Sequence, residues 1–548
     1  MSPNPLARPA AATLAQALRS ALGDAAISDD DAQLDLLSRD VYGQGGRPLL
    51  VVRPPSVVAL QAAVALCAQA GVAMVPRGGG ASYTDGYLLS AGGHVLVDTG
   101  GLQQIDIDRD NAVVTVGPGV TWAALREQLT PLGLRTPFWG PFSGLVATVG
   151  GSVSQNSISH GSASHGISAQ SVLSLDVVLA SGELLSTGLS GATRHYGPDL
   201  TGLFTGDCGA LGIKAAIRMP LIAFRPDFQA LSFAFEDFAS FHNALRSAAR
   251  EGLEDESFGL DRALSQGQIG KQEALGARLR IAAKVLRSAP NPLAGLRQLL
   301  RMALAGDKVL GLGAYMAHFI VEGSNAAEAL AKAQRLRQLM AQAAGREIAN
   351  SVPGFVRALP FAPLTNILGP QGERWVPLHG IVPHGRVAAC HAQLQDFWAG
   401  HQAEMDRLGV WFGTMFSTVG ATGLLYEIAL YWRDTTTAYH AAVLPADHLD
   451  SLPQYPARPE AAALVERLKL GLIALFAQHD AAHFQIGRAY PYAQRLQAPA
   501  LALMQALKAA LDPQQLMNPG ALGLGGARAP GAALAEAGAA PTAASPPA

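Results

Sequence analysis

The feature that most constrains this chain is the run Pro76-Arg77-Gly78-Gly79-Gly80-Ala81-Ser82-Tyr83, placed directly after the apolar stretch 72–76. Three consecutive glycines admit positive φ and close backbone approach. Their successive N–H groups can converge on an anion as a nest; a tight surface turn is the plain alternative. No Gly-Lys-Ser/Thr follows, so this is not a P-loop. Tyr83 stands where the third glycine of a Rossmann fingerprint would fall, so it is not that motif either.

The surrounding pattern fits an α/β unit. Residues 49–53 read as a buried strand, Ser56 as an N-cap, and Val57, Leu60, Ala63, Val64 and Cys67 recur at helical spacing before Gly71. Strands are expected at 72–76, 95–98 and 113–117, a helix capped by Thr121 over 122–131, a hairpin over 172–187 and a strand over 213–219. After about 222, Ala/Leu-rich helical stretches (237–251, 263–305, 325–345, 387–405, 459–478) alternate with short strands at 230–235, 314–321, 375–382 and 424–432. The texture is that of a second, α+β domain.

Composition narrows the class. The 548 residues are 49% hydrophobic and 15% charged, enough apolar material for large cores, with 59 Gly and 34 Pro in no collagen-like period. A net charge of −2 gives no field favouring nucleic acid, and no nucleic-acid partner is expected. Three scattered cysteines, Cys67, Cys208 and Cys390, form no CxxC pair, so no metal site is expected, and their sparsity fits a reducing, cytoplasmic setting. No run of about 18 apolar residues predicts a transmembrane helix. Leu14, Leu18 and Leu22 predict a short amphipathic helix at the N-terminus, and the Ala/Pro/Gly-rich residues 527–548 predict a disordered tail.

Two further glycine clusters follow the first: Ser143-Gly144-Leu145-Val146-Ala147-Thr148-Val149-Gly150-Gly151 running on to Asn156, and Gly206-Asp207-Cys208-Gly209-Ala210-Leu211-Gly212-Ile213. Together with Asp512–Gly520 (DPQQLMNPG), this order resembles the FAD-binding domain of the vanillyl-alcohol oxidase/p-cresol methylhydroxylase superfamily, over roughly 45–222 and again at 511–520. The resemblance implies an α+β architecture: a two-lobed FAD-binding domain (45–222, rejoined by 481–526), a cap over 223–480 and an N-terminal helical segment over 1–44. It implies that Pro76, Arg77, Gly78, Gly79, Gly80, Ala81 and Ser82 wrap the FAD pyrophosphate. Thr148, Gly150, Gly151 and Asn156 would contact the pyrophosphate and flavin region, Gly161 and His165-Gly166 would sit nearby, and Gly212 and Ile213 would touch the cofactor through their backbone. In some relatives a first-loop histidine bonds FAD covalently; Ala81 occupies that position, so non-covalent FAD is expected at this loop.

The activity implied is hydride transfer from a small alcohol, 2-hydroxy acid or para-phenolic substrate to flavin N5, then to an external acceptor (oxygen, a quinone or a cytochrome). A flavin-dependent synthase of the ether-lipid type and a catalytically degenerate FAD-binding protein are the alternatives. A homodimer is one expected assembly. His379 on the strand Trp375–Pro383 is a candidate base, with structural packing as its competing role. Arg488 and Tyr490 in His483-Phe484-Gln485-Ile486-Gly487-Arg488-Ala489-Tyr490 are candidates for holding an anionic substrate, against a surface Arg and a packed Tyr. The strand Gly423–Trp432 is a further candidate pocket wall.

Overall fold

The glycine loop leaves the edge strand of a small, mostly parallel sheet. In the computed structural model, which describes residues 7–189, 193–269 and 313–525, strands β1 (Ile27–Ser28), β2 (Leu50–Val52), β3 (Met74–Arg77) and β4 (Val95–Asp98) stand in the order β1-β2-β4-β3. β2, β4 and β3 run parallel. Helix Val57–Gln69 makes the crossover, its Ser56 hydroxyl accepting the Ala59 N–H at 3.2 Å, and it buries Leu60, Ala63, Val64 and Cys67 against the sheet. β3 is thus free to deliver residues 78–82 outside the carboxyl end of the strands, where open α/β sheets bind ligands.

The second lobe is antiparallel. β5 (Ile105–Asp108), β6 (Val113–Val116), β8 (Ser174–Val178), β9 (Leu184–Ser186) and β10 (Ile213–Pro220) form one sheet in the order β5-β6-β10-β8-β9; β7 (Leu134–Arg135) pairs with β11 (Ile222–Ala223) beside it. Helix Trp122–Leu129 carries the expected Thr121 cap, which accepts the Ala124 N–H at 3.2 Å.

The chain then builds a seven-stranded antiparallel sheet from β12 (Asp227–Phe235), β13 (Glu256–Asp261), β14 (Tyr315–Gly323), β15 (Arg346–Ile348), β16 (Arg374–Pro383), β17 (Val410–Val419) and β18 (Gly423–Trp432), in the order β15-β12-β14-β13-β17-β18-β16. Its period-2 alternation serves two apolar faces. Leu424, Tyr426, Ile428 and Leu430 of β18 pack with helices Phe238–Glu251, Val387–Leu408 and Pro459–Gln478. Trp375, Met415 and Tyr431, on the other face, turn toward the first two lobes.

β13, β15 and β17 lack a strong strand signature, and the sequence reading leaves them out. β13 (ESFGLD) and β17 (VWFGTMFSTV) carry interior glycines and hydroxyls that weaken intrinsic strand preference. Gly259 has a packing reason: a Cβ there would meet the Phe241 ring at 2.3 Å. The helical expectation over 263–305 is met by a helix at Arg262–Ile269; its remainder, like the 527–548 tail, lies outside the described residues.

Candidate functional site

A long cavity lies between the glycine loop, helix Val149–Gln155, the start of β10 and the underside of the seven-stranded sheet. The expected residues Pro76, Arg77, Gly78, Gly79, Gly80, Ala81, Ser82, Thr148, Gly150, Gly151, Gly212 and Ile213 all line it. The Tyr439 hydroxyl donates to the Gly80 carbonyl at 2.8 Å, and the Tyr87 hydroxyl, shared between the Arg39 carbonyl at 2.8 Å and the Gly80 carbonyl at 3.2 Å, anchors the loop from the other side. The Arg77 guanidinium donates to the Gly78 carbonyl and lies over the Tyr87 ring at 5.3 Å. Among the described residues, none accepts a hydrogen bond from the backbone N–H groups of residues 78–82. Five successive donors left without a protein partner beside a cavity are what a diphosphate requires.

Packing explains the glycines. A Cβ on Gly78 would meet the Thr148 hydroxyl at 2.4 Å, and one on Gly79 the Val146 carbonyl oxygen at 1.9 Å. The loop therefore lies directly on the second glycine cluster. Helix Val149–Gln155 contributes walls rather than donors: its Gly150 N–H goes to Pro118, and its Gly151 N–H is capped by Thr148 at 3.2 Å.

Three expected cofactor contacts lie away from the cavity wall. Asn156 is the left-handed C-cap of that helix at φ 52° and packs on Gly206. Gly161 (φ 85°) and Gly166 (φ 75°) bracket the one-turn helix Ser162–His165. They shape the turn that presents His160 and Ala163 to the cavity instead. His160 stacks on Trp139 at 4.4 Å, donates Nε2–H to the Pro360 carbonyl at 2.7 Å, and places Nδ1 3.1 Å from Glu256 Oε2.

The three expected catalytic residues are also set back from the wall. Arg488 is a clamp: its guanidinium donates to the carbonyls of Asp85 (2.8 Å), Gly86 (3.3 Å) and Pro519 (2.9 Å) and to Asn518 Oδ1 (2.6 Å). Asn518 in turn donates to the carbonyls of Gly86 and Cys208. The Arg-Asn pair staples the C-terminal segment across two loops of the lobes, and both terminal nitrogens of Arg488 are spent on protein acceptors. Tyr490 is buried, and its hydroxyl accepts the His379 N–H at 3.1 Å. The His379 ring is fully buried, sandwiched by contact with Phe484 (3.7 Å) and edge contact with Tyr83 (6.0 Å). Burial, then the neighbouring His483, holds its pKa well below the usual imidazole value, so it is neutral.

The titratable group that reaches the cavity from this strand pair is Glu427 on β18, a residue the sequence reading does not single out. Around it stand Trp375, Met415, Leu425, Tyr83 and Phe484. No described side chain donates to its carboxyl, and desolvation pushes its pKa up to about 7. Its charge contributes to holding the Tyr83, Tyr431 and Tyr490 hydroxyls above their ordinary range, after burial. An acid poised near neutrality in an apolar chamber is suited to proton transfer. The signal was a single carboxylate in phase with Leu425 and Tyr431 in an otherwise apolar strand.

Fold and loops define a two-lobed, FAD-binding architecture under a sheet cap, and the comparisons agree. Residues 48–188 match the FAD binding domain family model, and 487–522 match that of the C-terminal domain of FAD linked oxidases. The glycolate oxidase subunit GlcD of Bacillus subtilis (strain 168) is 34% identical over 190 residues, 34% of this chain and 40% of that protein. The chain thus matches less than half the length of that curated relative. The fold is shared with substrate-bound p-cresol methylhydroxylase (TM-score 0.71, 18% identity, 94% of this chain and 98% of that one). It is shared also with alkyldihydroxyacetonephosphate synthase (TM-score 0.65, 15% identity, 92% and 84%). The chain therefore carries an FAD binding domain and, near its end, the C-terminal segment of FAD linked oxidases, in a fold like that of p-cresol methylhydroxylase. Among the described residues no helix is long and apolar enough to cross a membrane.

Proposed function

We propose that this protein is an FAD-dependent oxidoreductase acting on a small hydroxylated substrate, an alcohol, a 2-hydroxy acid or a para-substituted phenol, with Glu427 as its general base. The observation that carries this reading is the continuity of one cavity from the unpartnered amides of 78–82 to the unpartnered carboxyl of Glu427. Residues 45–222 and 481–526 would hold the cofactor, and 223–480 would form the cap.

FAD, when bound, supplies the acceptor for the substrate's hydride and passes the electrons to an external acceptor. The chain's own part is positional and acid–base. Backbone amides 78–82 hold the diphosphate, and the Gly80 carbonyl is tied to Tyr87 and Tyr439 so that the loop is formed before the cofactor arrives. Trp375, Met415 and Phe484 keep water from the substrate end. Ionised Glu427 takes the substrate's hydroxyl proton as the carbon–hydrogen bond gives up its electron pair, leaving a carbonyl or quinone-methide-type product.

Anaerobic titration of the yellow holoprotein with hydroxy acids, aliphatic and benzylic alcohols and para-alkylphenols tests this. Bleaching near ~450 nm by at least one class is expected. A bound flavin that dithionite reduces but none of these donors does would remove the oxidoreductase reading.

A further inference from the structure

The polar groups of the cap side of the cavity are unusual for a site that would take a carboxylic acid. Among the described residues, the part of the wall supplied by the cap sheet and residues 484–485 contains two carboxylates, Glu256 and Glu427, and no lysine or arginine. The cations on the wall are Arg77 and Lys214, and both are engaged elsewhere. Arg77 lies on the Tyr87 ring and bonds the Gly78 carbonyl; Lys214 is ion-paired with the buried Asp207. The guanidinium that the sequence offers for an anion, Arg488, is turned into backbone carbonyls and Asn518. The rest of the cap-side wall is largely apolar, with Trp375, Phe258, Leu425, Met415 and Phe484.

We propose that this chamber selects an uncharged substrate, an apolar or aromatic alcohol or phenol that enters with its hydroxyl protonated, and discriminates against carboxylates. The inference rests on the flavoenzyme reading above and narrows its substrate class. A neutral hydroxyl gives the Glu427 carboxyl the donor that the protein withholds, and its apolar body replaces water against Trp375 and Phe484. A carboxylate would be stripped of water with no cation to meet it and would face an existing negative charge. The two costs act in the same direction.

The test uses the FAD-loaded full chain at pH 8 and three pairs of compounds that differ by a carboxylate: benzyl alcohol and mandelate, 1,2-propanediol and lactate, 4-methylphenol and 4-hydroxyphenylacetate. Dissociation constants are read from perturbation of the flavin spectrum, which needs no turnover, and reduction rates from anaerobic bleaching. The neutral member is expected to bind at least tenfold more tightly wherever a pair responds, and Glu427→Gln is expected to shrink that ratio to within about threefold by admitting carboxylates. A wild-type protein that binds the carboxylate member equally or better overturns the proposal, as does one whose spectrum responds to no neutral member. These results are separable from failure of the broader reading. A yellow, dithionite-reducible protein that prefers mandelate refutes only the neutral-substrate assignment, whereas a folded protein that takes up no FAD refutes the flavoenzyme reading itself.

Discussion

His379 and Glu427 stand directly opposite each other across the antiparallel pair β16–β18, yet only Glu427 opens onto the cavity. His379 is sealed behind Phe484 and Tyr83, with neither ring nitrogen hydrogen-bonded among the described residues. One position of register therefore holds the base of the proposed reaction and, across from it, a neutral packing residue.

Glu427→Gln removes the base and keeps the shape. Flavin reduction by a reducing substrate should slow by about 10²–10⁴-fold, while FAD stays bound. In the wild-type protein the rate should rise with pH through about 7, because the carboxyl must lose its proton before it can accept one. Stopped-flow reduction across pH 5.5–9 checks both; a rising limb that persists in the Gln variant would assign it to another group. His379→Gln should leave that limb in place.

The same carboxyl makes a linkage prediction. Its folded pKa is raised to about 7, well above the ordinary glutamate value near 4.5. Between these values the folded state binds more protons than the unfolded state, so stability from this group falls as pH rises from about 4.5 to about 7. The full cost above that window is on the order of 3 kcal/mol. Apo-protein carrying Glu427→Gln should melt higher than wild type at pH 8 and nearly the same at pH 4.5, as followed by circular dichroism. A stabilisation that is equal at both pH values would mean the carboxyl is not held near neutrality.

The glycine loops were legible because their constraint is local. Residues 78–82 must follow a strand and must be small, and both facts are written in adjacent positions. The caps Ser56 and Thr121 were legible for the same reason. The cap sheet was only half legible. β16 and β18 are long and apolar, but β13 and β17 interrupt their pattern with Gly259, Gly413, Thr414 and Ser417, and only pairing with neighbours makes them strands. Glu427 was hidden because both faces of β18 are buried, one under helices and one at the cavity, so alternation alone does not tell which face is functional. The clamp made by Arg488 was illegible for a different reason: its partners Asp85 and Asn518 are remote in sequence, and a guanidinium filling backbone carbonyls looks, in sequence, the same as one awaiting a ligand.

Arg488→Ala should act on stability and cofactor retention. It deletes four hydrogen bonds that tie residues 85–86 to the Asn518-Pro519 turn. Charged donors to buried carbonyls contribute about 1.5–3 kcal/mol each and are not additive, so a loss of about 2–4 kcal/mol is expected. Lysine should rescue only in part, since one ammonium cannot span the same acceptors. Thermal melts of the two variants, with KM measured beside them, decide the point: a large rise in KM without a drop in melting temperature would return Arg488 to substrate binding.

Gly79→Ala tests the loop itself. The added methyl would lie 1.9 Å from the Val146 carbonyl oxygen and 2.7 Å from its carbon. Both are backbone atoms, which cannot swing aside as a side-chain tip can. Residues 78–82 must then lift off the second glycine cluster, and their amides lose the convergence that a diphosphate needs. FAD affinity should fall at least about 100-fold, equivalent to about 2.7 kcal/mol. Gly400→Ala is the matched control, because it sits within helix Val387–Leu408 with no heavy atom within 4 Å of the added methyl. That change should leave FAD binding intact and raise stability by up to about 1 kcal/mol. Fluorescence titration of the apo-proteins with FAD separates the two, and equal affinities would mean that the amides of 78–82 do not grip the cofactor.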